Sequence, residues 1–413
     1  MCAAAWRRFF GFAGAGALVA VGYIDPGNWA TDLGGGSRFG YALLFVVLAS
    51  SLMAMLLQTM SARLGIATGL DLAAACREAY PRLAWPMWGA AEVAIVATDL
   101  AEVLGSAIAL QLLFGIPLRV GVVATAADVL LLLGAERQGL RWLERVVGGL
   151  VLVVAAAFGF ELTLSHPRIA DVLHGYAPSL DLLRDGEMLY MGVGVLGATV
   201  MPHNLYLHSH LVLGRAVDRS DAGRREAVRH ATLDAVLSLT GAMLLNSALL
   251  VLAASVFHAT GLREVTEVQD AHRLLSPLLG TTLAGVAFAL ALLAAGQSAT
   301  ITGTMAGQVV MCGFVRVRMR SWQRRLVTRA LAIVPALAVI VAMGDRCGGQ
   351  LLVASQVVLS LQLPFAIVPL LLLTADRRRM LACATPRWMT GLGWLCALLV
   401  VVANGALLVR LLG

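Results

Sequence analysis

Apolar residues occur along this chain in long runs, separated by short segments that hold most of the charged residues. A run of about 20 apolar residues is long enough to cross the hydrocarbon core of a bilayer as an α-helix. We predict eleven such spans, and no polar segment between them is long enough to form a separate soluble domain. The predicted spans are residues 9–33, 41–62, 85–113, 119–134, 146–164, 188–213, 229–258, 281–314, 326–343, 349–373 and 389–410.

Turn-forming residues interrupt two of these spans. The first span contains Asp-Pro-Gly-Asn at residues 25–28, and the sixth contains Pro202 with ligand-type side chains beside it. Proline has no N–H group and glycine fits poorly inside a helix, so both segments predict a break. Backbone groups freed inside a membrane need new partners, which a cavity or an ion can supply. Taken alone, the first break is also compatible with a tight surface turn and the second with a simple kink.

The two breaks hold matching places in the chain. The first and the sixth spans each begin a block of five, and because five is odd, the second block enters the membrane from the opposite side. Matched breaks in two inverted halves indicate the central site of a transporter. We therefore predict one transport domain over residues 1–413, with repeats at about 9–164 and 188–373 and an extra helix at about 389–410.

Composition and charge agree with a multi-pass membrane protein. The chain is 59% hydrophobic and 13% charged with a mean hydropathy of +0.83, whereas soluble domains have about 25% charged residues. All 31 basic residues are arginine, and a cytoplasmic N-terminus places 23 of them on the inner side and 8 outside. This distribution predicts an external C-terminus and explains the net charge of +7 without a nucleic-acid partner. The first span reads as a retained helix, and the short loops suggest a bacterial inner membrane.

The side chains at the two breaks suit a transition metal. Asp25 and Asn28 offer hard oxygen ligands, Met201 offers a soft thioether, and carbonyls are freed near Gly22 and Ala198. His203 is a further candidate ligand at the second break. Mg²⁺ and Ca²⁺ prefer ligand sets made of oxygen alone, whereas a mixed set suits a borderline metal such as Mn²⁺ or Fe²⁺. The six cysteines have no metal-ligand spacing and are expected to be isolated thiols.

Six short strings in this chain are distinctive: Asp-Pro-Gly-Asn at 25–28, Ala-Thr-Asp-Leu-Ala-Glu at 97–102, Ala-Thr-Val-Met-Pro-His-Asn at 198–204, Gly-Thr-Met-Ala-Gly-Gln at 303–308, Ser-Gln-Val-Val-Leu at 355–359 and Leu-Pro-Phe-Ala at 363–366. Taken together, these strings closely resemble the Nramp family of proton-coupled divalent metal transporters, and the resemblance covers nearly the whole chain. The resemblance implies an all-α LeuT-like fold of two inverted five-helix repeats plus an eleventh helix, with helices 1 and 6 broken at mid-membrane.

The resemblance also implies a metal site and a set of substrates. Asp25, Asn28, Met201 and the carbonyl of Ala198 would bind the metal, and Gln356 would join them in an occluded state. Some relatives lack the methionine and accept Mg²⁺ or Al³⁺, so a chain that keeps it resembles the importers of Mn²⁺, Fe²⁺, Cd²⁺ and Co²⁺. Such a protein is a transporter and not an enzyme, needs no cofactor, and is expected to work as a monomer in the lipid bilayer.

The third span holds three carboxylates. The spacing of Glu92, Asp99 and Glu102 places them on one helical face, which marks an ion or proton route inside a membrane. Pairing with arginine to join two helices is the alternative. By resemblance, these three and Arg329 would form the proton exit path, with Asp25 taking the proton first and His203 nearby.

Several assignments stay open. Bacterial relatives often have two adjacent arginines in span nine, but here Thr328 precedes Arg329, while Arg324 and Arg325 come earlier, so the pairing of arginines with carboxylates is unresolved. His208 lies five residues after His203 and off its helical face; it is either a vestibule group or a structural hydrogen-bonding residue.

Three other functions compete with metal transport. A sodium-coupled amino-acid transporter of the same fold is the main alternative, although an aspartate in the break would repel a substrate carboxylate. A membrane metallohydrolase could use His203, His208 and Asp25, but no His-Glu-x-x-His pattern is present. A passive channel could also contain broken helices, but would not need the carboxylates of span three.

Overall fold

The computed structural model describes residues 14–127, 140–215, 217–218, 220–265, 267–316, 319–344 and 347–412, and these ranges form α-helices and short 3₁₀ turns without a strand. The α-helices are α1 (Ala15–Gly22), α2 (Pro26–Phe39), α3 (Leu44–Thr68), α4 (Leu72–Ala79), α5 (Ala84–Phe114), α6 (Leu118–Ala124), α7 (Leu140–Ser165), α8 (Ile169–Gly175), α9 (Asp181–Arg184), α10 (Gly186–Val200), α11 (Pro202–Leu211), α12 (Asp221–Val256), α13 (Val268–Leu279), α14 (Thr282–Val315), α15 (Ser321–Met343), α16 (Gly348–Ala375), α17 (Arg377–Met380) and α18 (Arg387–Leu412).

The predicted spans agree with this helix order. Eight helical segments within the described ranges are long and apolar enough to cross a membrane. Predicted spans one and six are not among them as whole helices, because each is divided into two short halves, α1–α2 and α10–α11. The fourth span is described only up to residue 127, and its remainder lies outside the described residues, as do residues 9–13 of the first span.

Both predicted breaks are present, and the local sequence explains each one. Helix α1 ends at Gly22, and α2 begins at Pro26, where the missing N–H group costs nothing. Helix α10 ends at Val200, and α11 begins at Pro202. Pro26 and Pro202 cannot donate to the carbonyls four residues earlier, which belong to Gly22 and Ala198. Those two carbonyls are therefore released from helical hydrogen bonding, as the sequence predicted.

The broken helices lie inside a frame of long helices. Helix α2 packs against α10, α12 and α16, and α11 packs against α3 and α14. Helices α5 and α14 also pack along each other and form the wall that faces the second break. This arrangement brings the two interrupted segments together in the buried interior.

Short helices also lie between the predicted spans, in segments whose polar composition is typical of ordinary surface connections. The segment at 259–280 contains the amphipathic helix α13, and the segment at 165–187 contains α8 and α9. Directly before α13, the Glu267 carboxylate accepts a hydrogen bond from the backbone N–H of Gly349 at 2.7 Å. This contact ties the connection to the start of α16.

Candidate functional site

The first break is organised by Asp25. Its Oδ1 atom accepts hydrogen bonds from the backbone N–H of Asn28 at 2.8 Å and from Asn28 Nδ2 at 2.7 Å. The first of these bonds caps α2, as an aspartate before a helix commonly does. The other carboxylate oxygen, Oδ2, is buried and has no hydrogen-bond partner among the described residues. A buried carboxylate oxygen without a donor is available to a cation.

The second break meets the first through Asn28. Its Nδ2 atom also donates to the carbonyl of Ala198 at 3.0 Å, so one amide group bridges the two interrupted helices. Met201 stands between α10 and α11 with φ at +36° and ψ at 102°, a conformation that is rare outside glycine. Such backbone strain costs on the order of 1–3 kcal/mol and is typical of functional sites.

The four predicted ligands are all buried, and Asn28 joins Asp25 to Ala198. The relative exposures of Asp25, Asn28, Ala198 and Met201 are 0%, 1%, 0% and 0%. If the Asn28 amide turned over, its oxygen would take the place of the bridging NH₂ group and join a carboxylate oxygen, a carbonyl oxygen and a thioether sulfur. Among the described residues there is no group of three His, Cys, Asp or Glu side chains that could hold a metal. The candidate site therefore depends on neutral ligands and a single carboxylate.

Glycines allow neighbouring side chains to approach the breaks. A Cβ atom at Gly27 would overlap the side chain of Gln356, and one at Gly22 would meet the amide of Asn204. The amide of Gln356 donates to the Ser355 hydroxyl at 2.9 Å, while its Oε1 atom is buried without a partner in the described part of the chain. Gln356 is therefore close to the first break with a free oxygen, as its predicted role requires.

Two asparagines near the site were not assigned a role there by the sequence. Asn246 Nδ2 donates to the carbonyl of Tyr23 at 2.9 Å and lies 3.3 Å from Asn28 Oδ1. Asn204 Nδ2 donates to the sulfur of Met201 at 3.4 Å. An intramembrane asparagine such as Asn246 is typical of an amide that joins helices. The available signal for Asn204 was its position directly after Pro202 and His203.

His203 connects the second break to α5. Its ring is buried, and Nδ1 lies 3.2 Å from the hydroxyl of Thr98, the residue before Asp99. The histidine thus reaches the helix that carries the three predicted carboxylates.

The open question of arginine pairing has a clear answer in the structure. Arg324 Nη2 lies 2.8 Å from Glu92 Oε1, which also accepts from the indole of Trp88 at 2.9 Å. Arg329 Nη1 lies 3.6 Å from Glu102 Oε2 and 3.4 Å from the backbone carbonyl of Asp99. Each carboxylate at the ends of the predicted series therefore has its own arginine from α15.

His208 is fully buried in this conformation and does not face an open vestibule. Its Nδ1 atom lies 3.1 Å from Gln58 Oε1, and Gln58 Nε2 in turn donates to the hydroxyl of Tyr23 at 2.9 Å. This bonding corresponds to the structural alternative that the sequence left open. Gln58 was not predicted, because a single glutamine in an apolar span gives no signal of its partners.

Comparison with known proteins decides the family. The family model described as "Natural resistance-associated macrophage protein-like", or Nramp, matches residues 16–410. The chain belongs to the Nramp family. This Nramp chain is 54% identical over 404 residues to the "Divalent metal cation transporter MntH" of Xanthomonas campestris pv. campestris, with 98% of this chain and 91% of that protein covered. It is 53% identical over 400 residues to the protein of the same name from Brucella suis biovar 1, covering 97% and 88%.

Solved structures give the same picture for the fold. The Nramp chain superposes on the Eremococcus coleocola manganese transporter with a TM-score of 0.88 and 40% identity, covering 97% of this chain and 86% of that one. MhsT in complex with L-phenylalanine is similar with a TM-score of 0.59 and 16% identity, covering 98% of each chain, which is a likeness of fold alone. The prediction of an all-α LeuT-like fold is confirmed. The relatives are named as transporters, which also supports a transporter over a hydrolase.

Proposed function

We propose that this protein imports Mn²⁺ and Fe²⁺, and also Cd²⁺ and Co²⁺, together with protons, by alternating access. The observation that carries the proposal is the bridge of Asn28 between Asp25 and the Ala198 carbonyl, three residues before Met201. Ligands from both breaks thus meet at one buried point. The names of the relatives and of the Eremococcus coleocola protein support a divalent metal, and manganese in particular.

The chemistry of these ligands favours transition metals over the abundant divalent cations. Mg²⁺ demands oxygen ligands and gives up its water reluctantly, and Ca²⁺ takes six to eight oxygens. A site with one carboxylate, two neutral oxygens and a sulfur satisfies neither ion. The softer Mn²⁺, Fe²⁺, Co²⁺ and Cd²⁺ ions accept the thioether. Met201 is therefore proposed to set selectivity, while Asp25 supplies the charge.

The proposed proton route begins at Asp25 and continues along α5. His203 and Thr98 link the second break to this helix, and the ion pairs of Glu102 with Arg329 and of Glu92 with Arg324 follow. These two ion pairs place charged groups one after the other along α5, from the level of the site toward Ala84, the first residue of that helix. An inside-negative potential favours entry of each positive charge by about 2.3 kcal/mol per 100 mV.

We also infer the setting of the molecule in the cell. The arginine distribution supports a cytoplasmic N-terminus and an external C-terminus in a bacterial inner membrane. The chain is proposed to act as a monomer and as one transport domain over residues 1–413. Within it, the two broken helices would rock against the long helices that surround them.

The experiment is divalent-metal uptake into proteoliposomes. Asp25→Ala removes the only carboxylate among the proposed ligands and is expected to abolish Mn²⁺ uptake. Asp171→Ala, which changes an exposed aspartate of α8, is the matched control and should transport like the wild type. Mn²⁺ uptake by Asp25→Ala at the wild-type rate would show that the site is wrongly assigned.

Two further arms separate the alternatives. A pH gradient should drive Mn²⁺ uptake against its own concentration gradient, which a passive channel cannot do. A sodium gradient with labelled amino acids should give no uptake above that of empty liposomes. Sodium-driven amino-acid uptake would favour the alternative, whose support at present is only the shared fold with MhsT.

A further inference from the structure

A cavity away from the metal site opens where α12 begins. Its volume is about 660 Å³, and it lies between α3, the first turns of α12 and residues 382–383. The arginine distribution assigns this end of the bundle to the cytoplasmic side of the membrane. The lining residues that matter here are three arginines and three aliphatic side chains: Arg63, Arg225, Arg229, Val228, Leu233 and Val236.

The charges of this cavity are unbalanced. Three guanidinium groups line it, and no lining residue in the described part of the chain is acidic. Arg225 and Arg229 are four residues apart on one helical face, where like charges repel. Neither has an ion pair or a hydrogen bond to another described residue. Both side chains are exposed, so their guanidinium groups can reach a ligand in the cavity.

Arg63 completes the arrangement from the other wall. Its Nη1 atom donates hydrogen bonds to the carbonyls of Cys383 at 3.4 Å and of Ala384 at 3.3 Å, and these bonds fix the position of the side chain. Because Arg63 also lines the cavity, it adds a third positive charge to those of Arg225 and Arg229.

The polarity of the cavity changes along α12. Arg225 and Arg229 lie at the start of the helix, and Leu233 and Val236 follow on the same side, about 6 Å and about 10 Å beyond Arg229 at 1.5 Å per residue. Leu233 is 46% exposed, so the apolar part of this face is open to the surrounding hydrocarbon. A ligand with an anionic group at one end and an apolar chain at the other matches this order.

We propose that this cavity binds an anionic phospholipid of the surrounding leaflet. The phosphate would lie among Arg63, Arg225 and Arg229, and an acyl chain would follow Leu233 and Val236. Arginine forms paired, charge-assisted hydrogen bonds with phosphate oxygens, and basic pockets on the cytoplasmic side of membrane helices bind acidic headgroups. The proposal is independent of the metal chemistry, since none of these residues contributes to the metal site or the proton route.

Native mass spectrometry of the whole protein in detergent tests the proposal. Dioleoylphosphatidylglycerol is the probe, and dioleoylphosphatidylcholine is the neutral comparison with the same chains. The wild type should retain phosphatidylglycerol more strongly than phosphatidylcholine. Because each arginine near the membrane surface contributes about a fivefold factor, Arg225→Gln combined with Arg229→Gln should weaken phosphatidylglycerol binding about thirtyfold. Arg82→Gln, an exposed arginine outside the cavity, is the matched control and should bind like the wild type.

Three results would overturn the proposal. The first is equal retention of phosphatidylglycerol by the wild type and the double variant. The second is equal retention of the two lipids by the wild type. The third is full displacement of phosphatidylglycerol by millimolar inorganic phosphate, which would make the cavity a site for free phosphate. Mn²⁺ uptake and thermal unfolding of the double variant, both expected to match the wild type, exclude misfolding as the cause of lost binding.

Discussion

The contact between α10 and α16 gives a sharp test of how the second break is held in place. Gly197 lies directly before Ala198, and its carbonyl accepts the backbone N–H of Met201 at 3.3 Å. A Cβ atom at position 197 would lie 2.7 Å from the backbone nitrogen of Ser360 and would overlap the carbonyl of Gln356. Both are backbone atoms of α16, so no side chain can rotate away to make room.

The magnitude follows from this geometry. Nonbonded heavy atoms pack at about 3.5–4.0 Å, so Gly197→Ala must push α10 away from α16 by roughly 1 Å. Overpacking of this kind costs about 1–3 kcal/mol of folding free energy. The same shift displaces the Ala198 carbonyl relative to Asn28, and geometric errors of about 1 Å can reduce function by up to about a hundredfold. We expect Mn²⁺ uptake to fall at least about tenfold.

The assay compares two glycine substitutions. Gly241→Ala in α12 is the matched control, because a Cβ atom there meets nothing within 4 Å. It should leave uptake unchanged and stabilise the helix slightly, since alanine is favoured over glycine inside helices by about 0.5–1 kcal/mol. Thermal unfolding in detergent and Mn²⁺ uptake in proteoliposomes are measured for both. If Gly197→Ala unfolded and transported like Gly241→Ala, the packing argument would be refuted.

Three further predictions concern the metal site, the buried ion pair and helix α1. Met201→Ala should lower Cd²⁺ and Mn²⁺ uptake relative to competing Mg²⁺ or Ca²⁺, and unchanged competition would contradict the role of the sulfur in selectivity. The control is Met311→Ala, which changes a buried methionine elsewhere in the chain. Arg324→Gln should destabilise the protein by about 3 kcal/mol, because it leaves the half-buried Glu92 carboxylate without its cation. In thermal unfolding, the double variant Arg324→Gln with Glu92→Gln should recover part of the lost stability. No recovery would argue against a stabilising ion pair between the two residues. The Asp234 carboxylate accepts a hydrogen bond from the backbone N–H of Gly16 at 2.7 Å, at the start of α1. Asp234→Asn should weaken this contact by about 1 kcal/mol and so increase the rate of thiol labelling at Ala15→Cys. An unchanged labelling rate would contradict a role of Asp234 in holding the start of α1.

The ion pairs between α5 and α15 identify partners of the carboxylates that the sequence placed on the predicted proton route. Spacing alone placed Glu92, Asp99 and Glu102 on one face of span three, but it did not identify their partners. The structure pairs Glu92 with Arg324, five residues before Arg329, because α15 runs beside α5 and each arginine reaches a different level of it.

For the segments that connect the halves of the two broken helices, the sequence predicted the position of each break but not its backbone conformation. Pro26 and Pro202 predicted that the carbonyls of Gly22 and Ala198 would be free, because proline lacks the N–H group that would bond to the carbonyl four residues earlier. The positive φ of Met201 had no signal in the sequence, because methionine rarely adopts that conformation and only the surrounding packing holds it there.

The sequence by itself determined the features that depend on local chemistry and on periodicity. Apolar runs gave the spans, prolines gave the breaks, and the odd number of helices per block gave the inverted repeats. The tertiary structure decided which polar groups meet: Asn28 with Ala198, Gln58 with His208, Arg324 with Glu92, and the arginines around the cavity at the start of α12. These contacts join residues far apart in the chain, and helix packing selects them by fractions of a helical turn that spacing along a single chain does not encode.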